Sequence, residues 1–149
     1  MKKIVKLFIK VVLTAIIFAI LALIIHSASA YFTMDYYTNP DYSGVWSTLM
    51  MPEDGAPGIN FYVTSILFSL IGAVLYTIVY IIIRASIPGR TYFKKGLFYG
   101  LFLFLIAGVP GFLSLYLLIN LPVVLLYVWA LENFIIYIIG GVLIAEINR

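Results

Sequence analysis

Glu132 is the residue of this chain best placed to do chemistry, because it is the one acid in an apolar run from 123 to 145. A run of this length reaches the roughly 20 residues needed to cross a bilayer. Centring Arg, Lys or Asp in such a helix costs about 2.5–3.5 kcal/mol on insertion scales, and ionisable groups found there usually bind protons, ions or each other. We therefore take Glu132 as the first candidate for a functional side chain.

Other polar or helix-breaking residues are predicted at a similar depth in the membrane. At 1.5 Å per residue, Glu132 lies about 14 Å below the outer end of its predicted helix and Pro110 about 12 Å. His26 lies about 10 Å and Ser69 about 12 Å below the outer ends of theirs. We therefore predict one intramembrane polar site that draws on all four helices, with the candidate members Glu132, Asn133, His26, Ser65, Ser69, Pro110 and Gly111.

Three roles for Glu132 remain open at this point. It could be a neutral carboxylic acid hydrogen-bonded to a neighbouring helix, since burial disfavours the charged form. It could bind a proton or cation in a pathway lined by residues of the polar site. It could also bind a basic residue of another chain at a subunit or partner interface. Because Glu132 and Asn133 are about 100° apart on a helix, at least one of them could point away from the other helices.

The third apolar segment carries an interruption from Gly108 to Gly111. Pro110 has no backbone N–H to donate to the Ile106 carbonyl, and its ring crowds the preceding turn, so we expect a kink there. A carbonyl freed inside lipid needs a partner. The connection from 119 to 122 makes the third and fourth helices antiparallel neighbours, so Asn133, or Glu132 in its protonated form, could donate towards the Ile106 carbonyl.

Several kinds of chemistry find no support in the residues. The chain has no cysteine and a single histidine, which excludes thiolate sites and multi-histidine metal clusters. It shows no Ser/His/Asp order, phosphate loop or dinucleotide fingerprint. The acids of the segment from 34 to 60 do not have EF-hand spacing. We therefore expect no enzyme, no metal site and no cofactor.

Composition places these residues in a membrane protein. With 64% hydrophobic and 10% charged residues, the chain lies far from the soluble average of about 45–50% apolar and about 25% charged. Four apolar segments, 11–33, 61–83, 97–118 and 123–145, are each long enough to span a hydrocarbon core of about 30 Å. The predicted fold is an all-α integral membrane protein with a single domain, residues 1–149, built as a four-transmembrane-helix bundle.

The distribution of charge predicts how these spans are oriented. All nine basic residues precede the first span, lie between 84 and 96, or end the chain, whereas the segment from 34 to 60 has four acids and no basic residue. Excess Lys and Arg in short connections marks the cytoplasmic side. We predict both termini inside, a cytoplasmic loop at 84–96 and an exported loop at 34–60, in a multi-pass protein of the cell (inner, cytoplasmic) membrane. The net charge of +3 then reflects topology and does not indicate nucleic-acid binding.

Two features near the outer side bear on this topology. Residues 28–30 read Ala-Ser-Ala and resemble a signal-peptide cleavage site, and cleavage there would leave three spans; we favour an uncleaved first helix because the apolar stretch continues past it. Residues 43–51 are predicted to form a short interfacial helix.

Small residues at helical spacing indicate how the helices pack and what they contact. Membrane helices associate through Gly, Ala, Ser and Thr faces, and the third segment contains Gly96-x-x-x-Gly100. Near the inner surface, Arg90, Lys94 and Lys95 are candidate contacts for anionic lipid headgroups. The expected function is that of a non-catalytic structural or assembly component that forms a homo-oligomer or binds a membrane-protein partner. The alternative is a proton/cation pathway or small-ligand-binding protein centred on Glu132.

Overall fold

The computed structural model describes residues 2–38, 58–118 and 121–149, and every regular element in these ranges is helical. In chain order the elements are α1 (Lys2–Phe32), α2 (Met34–Thr38), α3 (Ile59–Ile83), α4 (Tyr92–Leu103), a π-helical segment (Phe104–Gly108), α5 (Val109–Leu118) and α6 (Val123–Ile147). Taking Tyr92–Leu118 as one helix, four helices are long and apolar enough to cross a membrane. The chain is therefore a multi-pass membrane protein by helix length and composition.

Each of the four long helices extends beyond its predicted apolar segment at one end. α1 begins at Lys2 and includes the four N-terminal lysines, which are good helix formers. α4 begins at Tyr92 because Thr91 caps it: the Thr91 hydroxyl accepts a hydrogen bond from the Lys94 N–H at 3.2 Å. The predicted interfacial helix at 43–51 lies outside the described residues, whereas α2 adds one helical turn directly after the turn at Thr33.

α1 and α6 run antiparallel in one consistent register. Near the middle of the pair, Phe18 lies against Gly140, where an added Cβ would collide with its ring. At the end with the chain termini, the Asn148 side-chain amide donates to the Thr14 hydroxyl at 3.0 Å, and the Lys10 ammonium donates to the Arg149 carbonyl at 3.0 Å. These contacts determine which residues of the two helices face each other further along.

The backbones of α4 and α6 approach each other closely at glycine residues. A Cβ added at Gly96 would lie 2.5 Å from the Val142 Cα, and one added at Gly141 would lie 2.5 Å from the Gly96 carbonyl and 2.6 Å from the Gly100 nitrogen. Backbone atoms cannot rotate away as a side chain can, so no residue larger than glycine fits at these positions without separating the helices. The Gly96-x-x-x-Gly100 pair is thus where α4 meets α6, as expected for small-residue packing in membranes.

Tyrosines fill the space where α3, α4 and α6 meet. Tyr99 is buried and its hydroxyl donates to the Tyr76 carbonyl, and its ring packs edge-on against that of Tyr80, with centroids 5.2 Å apart. The hydroxyls of Tyr76 and Tyr137 are 3.3 Å apart. These aromatic contacts join α3 to the α4–α6 pair.

The predicted interruption in the third span takes the form of a π-helical segment just before Pro110. The Val109 N–H bonds to the Phe104 carbonyl, five residues earlier, which is the π pattern. Widening the turn in this way relieves the crowding between the proline ring and the residue four positions before it. The helix continues through α5 without a break, and a change of axis direction at Gly108–Gly111 stays a prediction.

One end of the molecule is held together by basic side chains that donate to backbone carbonyls. Arg84, just after α3, donates to the Asn148 carbonyl at 2.8 Å, and Lys95 of α4 donates to the Arg84 carbonyl at 2.7 Å. Together with the bond from Lys10 to Arg149, these contacts bring the N-terminal parts of α1 and α4 and the C-termini of α3 and α6 to one level. We call this level the basic end. Cationic groups stabilise helix C-termini, whose carbonyls have no partner within the helix.

Candidate intramembrane site

Glu132 contacts His26 across the α1–α6 interface. The pair joins the Glu132 Oε1 and the His26 Nδ1. The Glu132 side chain is 6% exposed, whereas the His26 side chain is 51% exposed. The register described above explains the contact, because His26 lies eight residues after Phe18 and Glu132 lies eight residues before Gly140. The acid is therefore the buried member of the pair, and the imidazole is the member that faces outward.

His26 and Glu132 lie at the same distance from the basic end of the molecule. His26 is sixteen residues beyond Lys10 on α1, and Glu132 is sixteen residues before Asn148 on α6. Gly111 is sixteen residues beyond Lys95. At 1.5 Å per residue each distance is about 24 Å. These equal distances agree with the direct contact between His26 and Glu132.

A groove of about 360 Å³ opens beside the pair. α1 contributes His26, the π segment and α5 form one wall, and α6 forms the other. The lining residues are His26, Ala107, Gly108, Gly111, Phe112, Leu115, Trp129, Glu132, Asn133 and Tyr137. A volume in this range is typical of small-molecule sites, which are usually apolar with a few polar groups.

Four of the seven predicted site residues come together in this groove: Glu132, Asn133, His26 and Gly111. Ser65, Ser69 and Pro110 are not part of its lining. α3 packs mainly against α1 and contributes nothing to the groove wall, so the two serines, although partly buried, lie elsewhere. Pro110 is exposed, and the π segment that precedes it contributes Ala107 and Gly108 to the lining.

Among the described residues, both candidate donors for the Ile106 carbonyl contact other groups. The Asn133 amide donates to the Trp129 carbonyl of its own helix at 3.0 Å. Glu132 is paired with His26. A hydrogen bond to the Ile106 carbonyl therefore stays a prediction.

Aromatic side chains were the part of the site that sequence reasoning missed. Trp129 and Tyr137 line the groove on α6, and Phe112 lines it on α5. Trp129, Asn133 and Tyr137 follow one another at steps of four residues, so they share one helix face. The spacing is the sequence signal that could have identified these aromatic residues, because Glu132 lies only three residues after Trp129 and therefore on the same side of α6.

The pair is electrically neutral when it holds one removable proton. A carboxylate beside a neutral imidazole has a net charge of −1, and one added proton makes the pair neutral. Isolated charges in a low-dielectric environment are costly, whereas paired and hydrogen-bonded ones are tolerated. The deprotonated pair therefore attracts a positive charge into the groove, and the protonated pair does not.

The candidate lipid contacts differ in accessibility. Arg90 and Lys94 are exposed, whereas Lys95 is partly buried and donates to the Arg84 carbonyl. Lys95 thus has a structural partner within the chain, and Arg90 and Lys94 remain the accessible candidates. Among the described residues, no three His, Asp or Glu side chains converge as a metal site.

Comparison with protein-family models found no matching family, and comparisons with curated proteins and with solved structures found no match either.

Proposed function

We propose that this protein is a non-enzymatic membrane protein that provides a proton or small-cation pathway, with the Glu132–His26 pair as its binding site. The observation that carries the proposal is that the carboxylate is buried, paired with an imidazole and part of a groove wall. A carboxyl group that served packing alone would be expected in a dry contact between helices. An acid facing a groove favours the exchange of a proton or cation over the structural role that composition alone suggested.

The proposal includes an orientation for the bundle. Lys10, Arg84 and Lys95 lie at the same end as the N-terminus and Arg149. The excess of basic residues at this end supports a cytoplasmic location, with both termini inside the cell membrane. The Glu132–His26 pair would then lie about 24 Å along the helices from the cytoplasmic level of Lys10 and Asn148, and about 14 Å below the outer end of α6.

The lipid contacts and self-association are proposed on separate grounds. Exposed Arg90 and Lys94 at the basic end favour anionic headgroups. Large apolar side chains cover the outer faces of α1, α3 and α5, as required for contact with lipid tails or with another copy of this chain. Neither contact is needed for the groove, whose walls all come from a single chain.

Proton flux into liposomes tests the proposed pathway. Purified protein is reconstituted with a trapped pH-sensitive dye, and a potassium diffusion potential drives proton entry. We expect wild-type flux well above that of protein-free liposomes and at least a tenfold loss in Glu132→Gln, which keeps the shape of the side chain and removes its charge. Glu146→Gln is the matched control, because Glu146 is 41% exposed at the basic end and pairs with Arg149 at 3.6 Å.

Two results would contradict the proposal. One is wild-type flux no greater than that of empty liposomes, with correct folding verified by size-exclusion chromatography and circular dichroism. The other is a Glu132→Gln variant that folds and conducts as well as Glu146→Gln. If Glu132→Gln does not fold, the comparison of wild type with empty liposomes still decides whether a pathway exists.

A further inference from the structure

We infer that the groove beside the Glu132–His26 pair binds an organic cation with an apolar body, and that this cation competes with the proton of the pair. The inference rests on the proposed function, since it uses the same pair, and it adds the chemical class of a second ligand. It depends on three features of the groove: its aromatic walls, its single buried carboxylate and its size.

The aromatic walls favour a positively charged ligand. Trp129 and Tyr137 on one side and Phe112 on the other line the space next to the Glu132 carboxylate. The faces of aromatic rings attract cations, Trp most strongly, and the attraction is worth more where water is excluded. A ligand with a positive centre near Glu132 and an apolar part against Leu115 would satisfy both kinds of wall.

The same lining argues against a divalent inorganic ion such as calcium or magnesium. Calcium requires six to eight oxygen ligands, and magnesium requires octahedral oxygen coordination. Glu132 supplies one carboxylate, of which Oε1 already contacts His26. The Asn133 side-chain N–H donates to the Trp129 carbonyl, so the other side-chain oxygens of the lining are the Asn133 Oδ1 and the Tyr137 hydroxyl, fewer than either ion requires. The remaining walls are largely apolar, as an organic cation prefers.

Competition with the proton follows from charge balance in the groove. The deprotonated pair has a net charge of −1, and either one proton or one monovalent cation neutralises it. Binding of the cation therefore releases one proton from the pair to water, with no bond made or broken in the ligand. The other titratable group in the lining is Tyr137, and Tyr76 of α3 reaches it at 3.3 Å; the π segment and α5 contribute no titratable side chain to the lining.

Benzyltrimethylammonium and neopentylbenzene form a matched pair of probes. They have the same shape, and only the first is charged; since its charge does not titrate, any dependence on pH belongs to the protein. The chain has two tryptophans, so Trp46→Phe leaves Trp129 as the sole tryptophan, reporting from the groove wall. Emission from Trp129 is followed during titration of each probe into detergent-solubilised protein at several pH values.

We expect the cation to bind at least tenfold more tightly than the neutral probe at high pH. In the pH range where the pair is protonated, each unit by which the pH is lowered should reduce the affinity for the cation by about tenfold, because one proton competes for one site. Glu132→Gln should abolish both the preference for charge and the pH dependence, and Glu146→Gln should change neither. Gly111→Leu, in which the new side chain meets open space at the groove wall, should weaken binding of both probes.

Equal affinity for the two probes, or binding of the cation that does not depend on pH, would overturn the inference. If Glu132→Gln fails to fold, the comparison of the two probes on wild-type protein still decides the question. The proposed proton exchange is measured separately, by the pH dependence of Trp129 emission in the absence of both probes and by proton flux. A protein that conducts protons but does not distinguish the probes would retain the proposed function and lose this inference.

Discussion

The ring of Phe18 on α1 lies against Gly140 on α6, and the same register brings His26 into contact with Glu132. The two contacts are eight residues, or about 12 Å, apart along each helix. Because position 140 has no side chain, α1 can approach α6 closely enough for the imidazole to reach the carboxylate. The geometry of the candidate site therefore depends on a packing contact outside it.

Gly140→Ala should weaken both the fold and the pair. The added Cβ would collide with the ring of Phe18, which is 4% exposed and has little room to move. Overpacking of this kind typically costs about 1–3 kcal/mol. Thermal unfolding in detergent, followed by circular dichroism, measures the loss, and the smaller side chain in the double variant Gly140→Ala/Phe18→Leu should recover part of it. In the control Gly72→Ala, the new Cβ would lie 3.6 Å from the Tyr76 ring; equal stability of the two alanine variants would contradict the argument.

Gly100→Ala and Gly141→Ala should destabilise the protein more strongly than Gly140→Ala. At both positions a Cβ would meet backbone atoms of the facing helix, so α4 and α6 must separate to accept it. We expect a loss of about 3 kcal/mol or more in the free energy of unfolding. Gly111→Ala is the control, since a Cβ there has nothing within 4 Å, and replacing a helical glycine by alanine should stabilise by about 0.5–1 kcal/mol. An unfolding midpoint for Gly100→Ala as high as that of Gly111→Ala would show that the helices do not meet here.

Thr14→Val should loosen the basic end of the α1–α6 pair. The Thr14 hydroxyl donates to the Lys10 carbonyl of its own helix at 2.7 Å and accepts the Asn148 amide at 3.0 Å. Thr77 is an internal control, because it is equally buried and its hydroxyl donates to the Ala73 carbonyl of its own helix at 2.7 Å. The difference in stability between Thr14→Val and Thr77→Val should be about 0.6 kcal/mol, the average for hydrogen bonds between membrane helices. A Thr77→Val variant that loses as much as Thr14→Val would mean that the bond to Asn148 contributes nothing.

The helices and their approximate limits could be predicted from the sequence, because about 20 consecutive apolar residues leave few other structures for a chain in lipid. The contact between His26 and Glu132 could be anticipated only as a shared depth. Depth follows from counting along each helix, whereas the direction of a side chain depends on the rotation of the helix about its axis. That rotation is determined by contacts such as Phe18 with Gly140, which no count along a single helix contains.

Ser69 shows that a shared depth does not by itself bring residues together. Ser69 has a depth similar to that of Glu132, yet α3 packs mainly against α1 and does not reach the groove.

Pro110 also predicted only part of the structure of the third span. Pro110 predicted a disturbed helix, but the wider turns lie at Phe104–Gly108, before the proline, because the missing N–H and the clashing ring both act on the preceding turn.

Cysteine labelling tests the proposed orientation directly, since the chain contains no cysteine of its own. Asp35→Cys lies on α2 and Lys94→Cys lies on α4, and both positions are exposed. In intact cells or spheroplasts, a membrane-impermeant maleimide should label position 35 and leave position 94 unlabelled; permeabilisation should make both accessible. The reverse pattern would invert the topology and would contradict the positive-inside assignment.

A double-mutant cycle on Tyr76 and Tyr137 should reveal coupling between α3 and α6 at the edge of the groove. Their hydroxyls are 3.3 Å apart and their rings pack edge-on with centroids 5.7 Å apart. Replacing either residue by Phe removes the hydroxyl contact and keeps the ring, so the double variant should lose less stability than the sum of the single variants. We expect a coupling energy of about 0.6 kcal/mol, with about 1.7 kcal/mol as the upper limit seen for such bonds. Tyr127 on α6 is 72% exposed, so the cycle of Tyr76→Phe with Tyr127→Phe should be additive within about 0.5 kcal/mol; equal coupling in both cycles would mean that the hydroxyl contact does not join α3 to α6.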